Sequence, residues 1–133
     1  QLDAFGGLGA QVPVYSGLLI FFSLASLGLP GLSGFVGEFL SLIGAFGVWR
    51  WQTAISVLGI VGAAAYMLTV IQRVLLGPLK TQWRAMPDVN ARELFSLVPL
   101  VLLVLALGIY PLALLQIQDP TLQRLLARLS LGW

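Results

Sequence analysis

The sequence contains no cysteine and no histidine among its 133 residues. The chain therefore offers no thiolate or imidazole with which to bind a metal ion, an iron–sulfur cluster or a histidine-ligated haem. Catalysis by a cysteine or histidine side chain is excluded for the same reason. We expect this chain to hold no metal and no cofactor.

Charged residues are also scarce, at 9% of the chain, against roughly 25% in an ordinary soluble domain. Hydrophobic residues make up 59%, and a soluble fold cannot bury that much apolar surface and still present a polar exterior. The net charge is only +2, with no cluster of basic and aromatic residues of the kind that binds nucleic acid. The composition predicts a membrane protein in contact with lipid.

The first apolar stretch covers residues 13–49, after a glycine-rich loop at 1–12, and Glu38 is its only charge. A straight helix of this length would measure about 55 Å at 1.5 Å per residue. The hydrocarbon core of a bilayer is only about 30 Å thick, so the helix must be interrupted or protrude. We predict a broken transmembrane helix over 13–49.

The break is predicted at Leu29-Pro30-Gly31-Leu32-Ser33-Gly34. Pro30 lacks a backbone donor and clashes with the preceding turn of a helix. Gly31 and Gly34 allow backbone dihedral angles that other residues avoid.

Two more spans are predicted, at 53–76 and 92–115, joined by a polar connector at 77–91. Asn90 and Glu93 form an N-capping signature just before the last apolar run.

The tail, 119–133, differs from the spans because it is short and amphipathic. Asp119 suits an N-cap and Pro120 suits the first helical position, so we expect a helix that lies in the membrane interface. The expected fold class is an all-α membrane protein with three transmembrane helices, the first discontinuous, and a C-terminal amphipathic helix.

Glu38 is the candidate functional residue, because a carboxylate at membrane depth costs about 2.5–3.5 kcal/mol and acids are retained there mainly on ion pathways. A second interpretation stays open, in which the span ends near Leu29 and Glu38 only caps or pairs at the interface. Ser41 could form a hydrogen bond beside Glu38, and Tyr66 could donate to a chain of waters. Both residue types more often serve packing in membrane helices.

The segment from Leu29 to Phe39, Leu-Pro-Gly-Leu-Ser-Gly-Phe-Val-Gly-Glu-Phe, resembles the broken-helix signature of the antiporter-like subunits of respiratory complex I. Arg-Glu-Leu-Phe from Arg92 and the run that ends Gly-Ile-Tyr-Pro at Pro111 fit the same family. Related large subunits usually carry Lys at the position of Glu38. The form Gly-Phe-Val-Gly-Glu-Phe resembles the chain-4 type, which includes the bacterial subunit M.

The resemblance implies proton translocation within NADH:quinone oxidoreductase in a bacterial inner membrane, by a multi-pass protein of which this chain is the C-terminal part. It implies that Glu38 is the terminal acid of the proton channel, facing the periplasmic exit. It also implies that flavin and iron–sulfur clusters lie in partner subunits, and that neighbouring antiporter-like subunits, peripheral subunits and lipid surround this one. One departure is Gln72, where relatives often have His.

Two other functions remain open at this point. The multisubunit sodium/proton antiporters share the motif, so sodium or proton exchange without NADH is the first alternative. A structural membrane subunit without ion transport is the second.

Overall fold

The computed structural model describes residues 5–79 and 81–130, and its ordered elements over these residues are all helical. This confirms the all-α fold class for the described part of the chain. The ends of the predicted N-terminal loop and tail, at 1–4 and 131–133, lie outside the described residues, as does residue 80 in the connector. The helices are α1 (Leu8–Gln11), α2 (Pro13–Ser26), α3 (Ser33–Phe46), α4 (Arg50–Leu75), α5 (Ala91–Ile109) and α6 (Leu112–Ser130), with one 3₁₀ turn at Thr81–Trp83.

The first apolar stretch forms two helices, α2 and α3, separated by a turn at 27–32. The turn contains two glycines in the left-handed region, Gly28 with φ +67° and Gly31 with φ +93°. Pro30 lies between them and cannot donate to a continuing helix. Gly34, predicted as part of the break, lies in the first turn of α3 instead.

Within residues 5–79 and 81–130, two helices are long and apolar enough to cross a membrane: α4 with 26 residues and α5 with 19. Their most apolar stretches are not buried within this chain, so lipid or other protein must cover them. The predicted capping signature is confirmed at the start of α5, where the Asn90 N–H donates to Oε2 of Glu93 at 2.9 Å.

The junction between α5 and α6 differs from the prediction. α5 ends at Ile109, because a residue that precedes proline is disfavoured in the helical conformation and Tyr110 precedes Pro111. α6 begins at Leu112, so Asp119 and Pro120 lie inside the helix instead of at its start. The Pro111 carbonyl accepts hydrogen bonds from the N–H groups of residues 114 and 115, which starts the helix eight residues earlier than expected.

Buried residues gather at the two ends of α2. At its start, Leu8 and Val12 pack with Leu75 at the end of α4. At its other end, Ala25 and Leu32 are buried around the turn that separates α2 from α3. Both ends of α2 are therefore packed against other parts of the chain: its start lies beside the connector, and its end lies beside the break.

Candidate proton-transfer site at the helix break

Glu38 lies in the second turn of α3, and its partly buried side chain is directed back towards the end of α2. A Cβ atom built on Gly28 would lie 3.0 Å from Cδ of Glu38 and closer still to its Oε2. The Glu38 carboxylate thus occupies the space that a side chain at position 28 would fill. Only glycine combines this space with a left-handed backbone at low cost.

Two further glycines allow helices to pack closely against the break. A Cβ on Gly34 would overlap the Ala25 carbonyl oxygen, so the first turn of α3 lies directly against the end of α2. A Cβ on Gly108, near the end of α5, would overlap the Gly31 carbonyl and come within 2.5 Å of the Leu32 Cα. Backbone therefore packs on backbone on two sides of the turn that precedes Glu38.

A shallow groove of about 360 Å³, open to the surface of this chain, lies between α3 and α4 beside Glu38. Ser41, predicted from its spacing, and Ser56, which sequence reasoning missed, both line it. The Ser56 hydroxyl donates to the Gln52 carbonyl at 2.9 Å and keeps its lone pairs free to accept. The remaining lining residues are Gly37, Leu42 and Ile60.

Tyr66 does not line this groove, and its side chain is 58% exposed within this chain. It lies on α4, ten residues beyond Ser56, which is about 15 Å along a helix. The structure therefore does not bring Tyr66 to Glu38, and its place on a proton path stays a prediction.

Asp88 is a second carboxylate with a defined structural position, and the sequence analysis gave it no role. Its Oδ2 accepts the Val14 N–H at 2.9 Å, and its Oδ1 accepts the Tyr15 N–H at 3.0 Å. The Val89 N–H donates to the same Oδ1 at 2.7 Å. Asp88 thus caps α2 from the connector, 74 residues along the chain from Val14.

The pKa of Asp88 reflects this position. Desolvation alone raises the pKa, but the hydrogen bonds from Val14, Val89 and Tyr15 outweigh it and bring the pKa below the ordinary value of 3.8. The carboxyl is therefore ionised near neutral pH. Val12 stands at the N-cap of α2 and has no side-chain acceptor, so the first N–H groups of the helix need an acceptor from elsewhere in the chain.

A carboxyl group can take up and release a proton. The Ser41 and Ser56 hydroxyl oxygens in the same groove can accept hydrogen bonds from water beside it. Over residues 5–79 and 81–130, the acids form no group that could hold a metal ion.

The sequence matches one family over residues 1–69, described as NADH:quinone oxidoreductase/Mrp antiporter, TM. The chain belongs to this family. Its members include similar proteins named NADH-quinone oxidoreductase subunit M, 39% identical in Rhodobacter capsulatus over 94% of this chain and 35% identical in Mycobacterium tuberculosis over 90%. NADH-ubiquinone oxidoreductase chain 4 of Arabidopsis thaliana is 40% identical over 80% of this chain.

These matches cover 25%, 22% and 22% of the three relatives, so the chain spans about a quarter of their length. A solved structure, respiratory complex I from Thermus thermophilus with bound NADH, matches with a TM-score of 0.77 and 33% identity. That match covers 84% of this chain and 23% of the other. The resemblance to the chain-4 type is confirmed, and the chain is part of a membrane protein.

Proposed function

We propose that the protein containing this chain translocates protons as a subunit of NADH:quinone oxidoreductase, and that Glu38 carries the proton on the exit side. The observation that carries the proposal is the position of Glu38 within the apolar stretch 13–49 of a chain that belongs to this family. Its carboxylate rests at a helix break, against Gly28, and lines an open groove together with Ser41 and Ser56. A carboxyl placed there can exchange protons with water in the groove while the surrounding surface is apolar.

The proposed membrane arrangement has three crossings in a bacterial inner membrane. α2 and α3 contain 14 residues each, about 21 Å, so neither alone crosses a hydrocarbon core of about 30 Å. Together they form one discontinuous crossing, and α4 and α5 form the other two. α6 lies in the interface, since Leu122 and Leu125 can face the acyl chains while Arg124 and Arg128 face the headgroups.

Electron transfer takes place in other subunits in this proposal. Flavin and iron–sulfur clusters belong to those partners, and this chain contributes membrane helices and a proton-carrying group. The exposed apolar faces of α4 and α5 fit contacts with lipid, with the rest of the same subunit and with neighbouring antiporter-like subunits.

Replacing Glu38 by Gln in the full-length subunit tests the proposal. The measurements are NADH-driven proton uptake by inverted membrane vesicles, NADH oxidation and the amount of assembled complex. Glu38→Gln removes the titratable group with little change in shape, so we expect proton uptake to fall sharply while the complex still assembles.

Glu93→Gln is the matched control, because it removes a carboxylate from the first turn of α5 while glutamine still serves in a capping box. We expect it to keep parental proton uptake. Parental uptake in Glu38→Gln would overturn the role of Glu38, and a loss of assembly without loss of uptake per complex would favour a structural subunit.

The family description also names Mrp antiporters, so sodium/proton exchange is the second candidate function. Sodium-dependent proton movement in vesicles without NADH would favour it. Co-purification of the full-length protein with flavin and iron–sulfur proteins would favour complex I.

A further inference from the structure

We propose that Asp88 is a positioning residue for Glu38, an inference that rests on the proton role proposed for Glu38. Asp88 fixes the start of α2, and α2 carries at its other end the glycine on which the Glu38 carboxylate rests. A group in the connector therefore sets where the proton-carrying carboxylate lies.

The first step is the attachment of α2 to the connector. Both carboxylate oxygens of Asp88 are used, Oδ2 by the Val14 N–H and Oδ1 by the Tyr15 N–H. These N–H groups belong to the first turn of α2, where a helix has no internal acceptor for them. A negative charge at this end also interacts favourably with the helix dipole. A further bond, from Nε2 of Gln11 to the Met86 carbonyl at 3.2 Å, joins the end of α1, two residues before α2, to the connector.

The second step is the length and stiffness of α2. Its 14 residues span about 21 Å and form a rigid element that carries a displacement from one end to the other. At the far end, the Ala25 carbonyl lies against Gly34, and Gly28 lies against Glu38. Movement of α2 along its axis would therefore change the surroundings of the Glu38 carboxylate directly.

The third step is the other helix that starts from the connector. Glu93 caps α5 five residues after Asp88, and α5 ends with Gly108 packed on the turn at Gly31 and Leu32. The starts of α2 and α5 thus both lie at this short segment, and the other ends of the two helices meet at the same break. The connector determines the relative position of both sides of the turn from which α3 and Glu38 follow.

The test uses the full-length subunit in its complex, with Asp88→Asn as the main variant. It keeps the shape of the side chain and removes the charge. The readouts are proton uptake per assembled complex and the modification of Glu38 by a membrane-permeable carbodiimide across a range of pH, quantified in the peptide that contains Glu38. We expect proton uptake per assembled complex to fall by about two- to fivefold. This is the equilibrium factor that corresponds to the favourable interaction of one charge with a helix N-terminus. We also expect the pH profile of modification to shift.

Asp88→Glu keeps the charge, and we expect it to return the modification profile towards the parental one. Asp119→Asn is the matched control, the same substitution within α6, and we expect a parental profile. If Asp88→Asn prevents assembly, Asp88→Ser takes its place, because the smaller side chain leaves room for water to accept the Val14 and Tyr15 N–H groups.

An unchanged Glu38 profile in the assembled Asp88 variant would overturn the inference, whether or not the amount of complex falls. The same shift in Asp119→Asn would also overturn it. Normal proton uptake in Glu38→Gln would instead refute the proposed function, so the two failures can be told apart.

Discussion

Replacing Gly28 by Ala should displace the Glu38 carboxylate, and Gly31→Ala provides a control with the same backbone strain. Both glycines have a positive φ, +67° and +93°, where an L-residue costs about 1–2 kcal/mol. Only at Gly28 would the new methyl group meet Glu38, with Cδ at 3.0 Å and Oε2 closer. At Gly31 it would meet no described atom within 4 Å.

To restore contacts of about 3.5 Å, the Glu38 carboxylate would have to move by roughly 1 Å in the Gly28 variant. A misplacement of 1 Å can slow a positioned chemical step by up to about 100-fold. We therefore expect both variants to lower the thermal stability of the complex by similar amounts. Proton uptake per assembled complex should fall by about tenfold or more in Gly28→Ala alone.

The assay is NADH-driven proton uptake in inverted vesicles, normalised to assembled complex, beside a thermal inactivation curve for each variant. Equal proton uptake in Gly28→Ala and Gly31→Ala would refute the reasoning. It would show that the Glu38 carboxylate works equally well when it is moved away from the end of α2.

Four other predictions follow from contacts around the break and the connector. Gly108→Ala should lower the thermal midpoint of the complex, because overpacking costs about 1–3 kcal/mol and the better helix propensity of Ala offsets about 1 kcal/mol. Gly47→Ala is its control, with φ −61° and its nearest contact at 3.9 Å, and should leave the midpoint unchanged. Ser56→Ala should lower proton uptake by about two- to tenfold, the value of one hydrogen bond, and unchanged uptake would remove it from the path. Leu75→Ala should destabilise the buried cluster by about 2–5 kcal/mol and reduce the amount of assembled complex on a native gel. Because the pKa of Asp88 is lowered, its cap on α2 should persist at neutral pH and be lost only as the pH falls through that lowered pKa, below 3.8. Hydrogen exchange of the N–H groups at the start of α2 can follow this loss.

Local features of the sequence predicted much of the helical pattern. The run of residues around Pro30 and Gly31 indicated an interruption because both residues act on their own backbone, whatever surrounds them. The cap at Asn90 and Glu93 was predictable for the same reason, since the two residues are three apart. The start of α6 was not, because Asp119 and Pro120 have the residue types of a helix start and yet lie inside a helix that Pro111 had already begun.

The candidate site was only partly predictable, because its main contacts join distant parts of the chain. Ser41 could be placed beside Glu38 from their spacing on one helix, but Ser56 comes from the next helix. The role of Gly28 depends on a side chain ten residues later folding back across a turn. Asp88 carries no local signal at all for a contact 74 residues away. Contacts of this kind follow from the packing of helices, which hydrophobic periodicity does not specify.

The long separation between Asp88 and α2 also has a consequence for biosynthesis. Val14 leaves the ribosome 74 residues before its capping partner, a delay on the order of 4–15 s at about 5–20 residues per second. During that interval the leading N–H groups of α2 have no acceptor from the connector. The cap of α2 is thus completed only after α3, α4 and the connector have been synthesised.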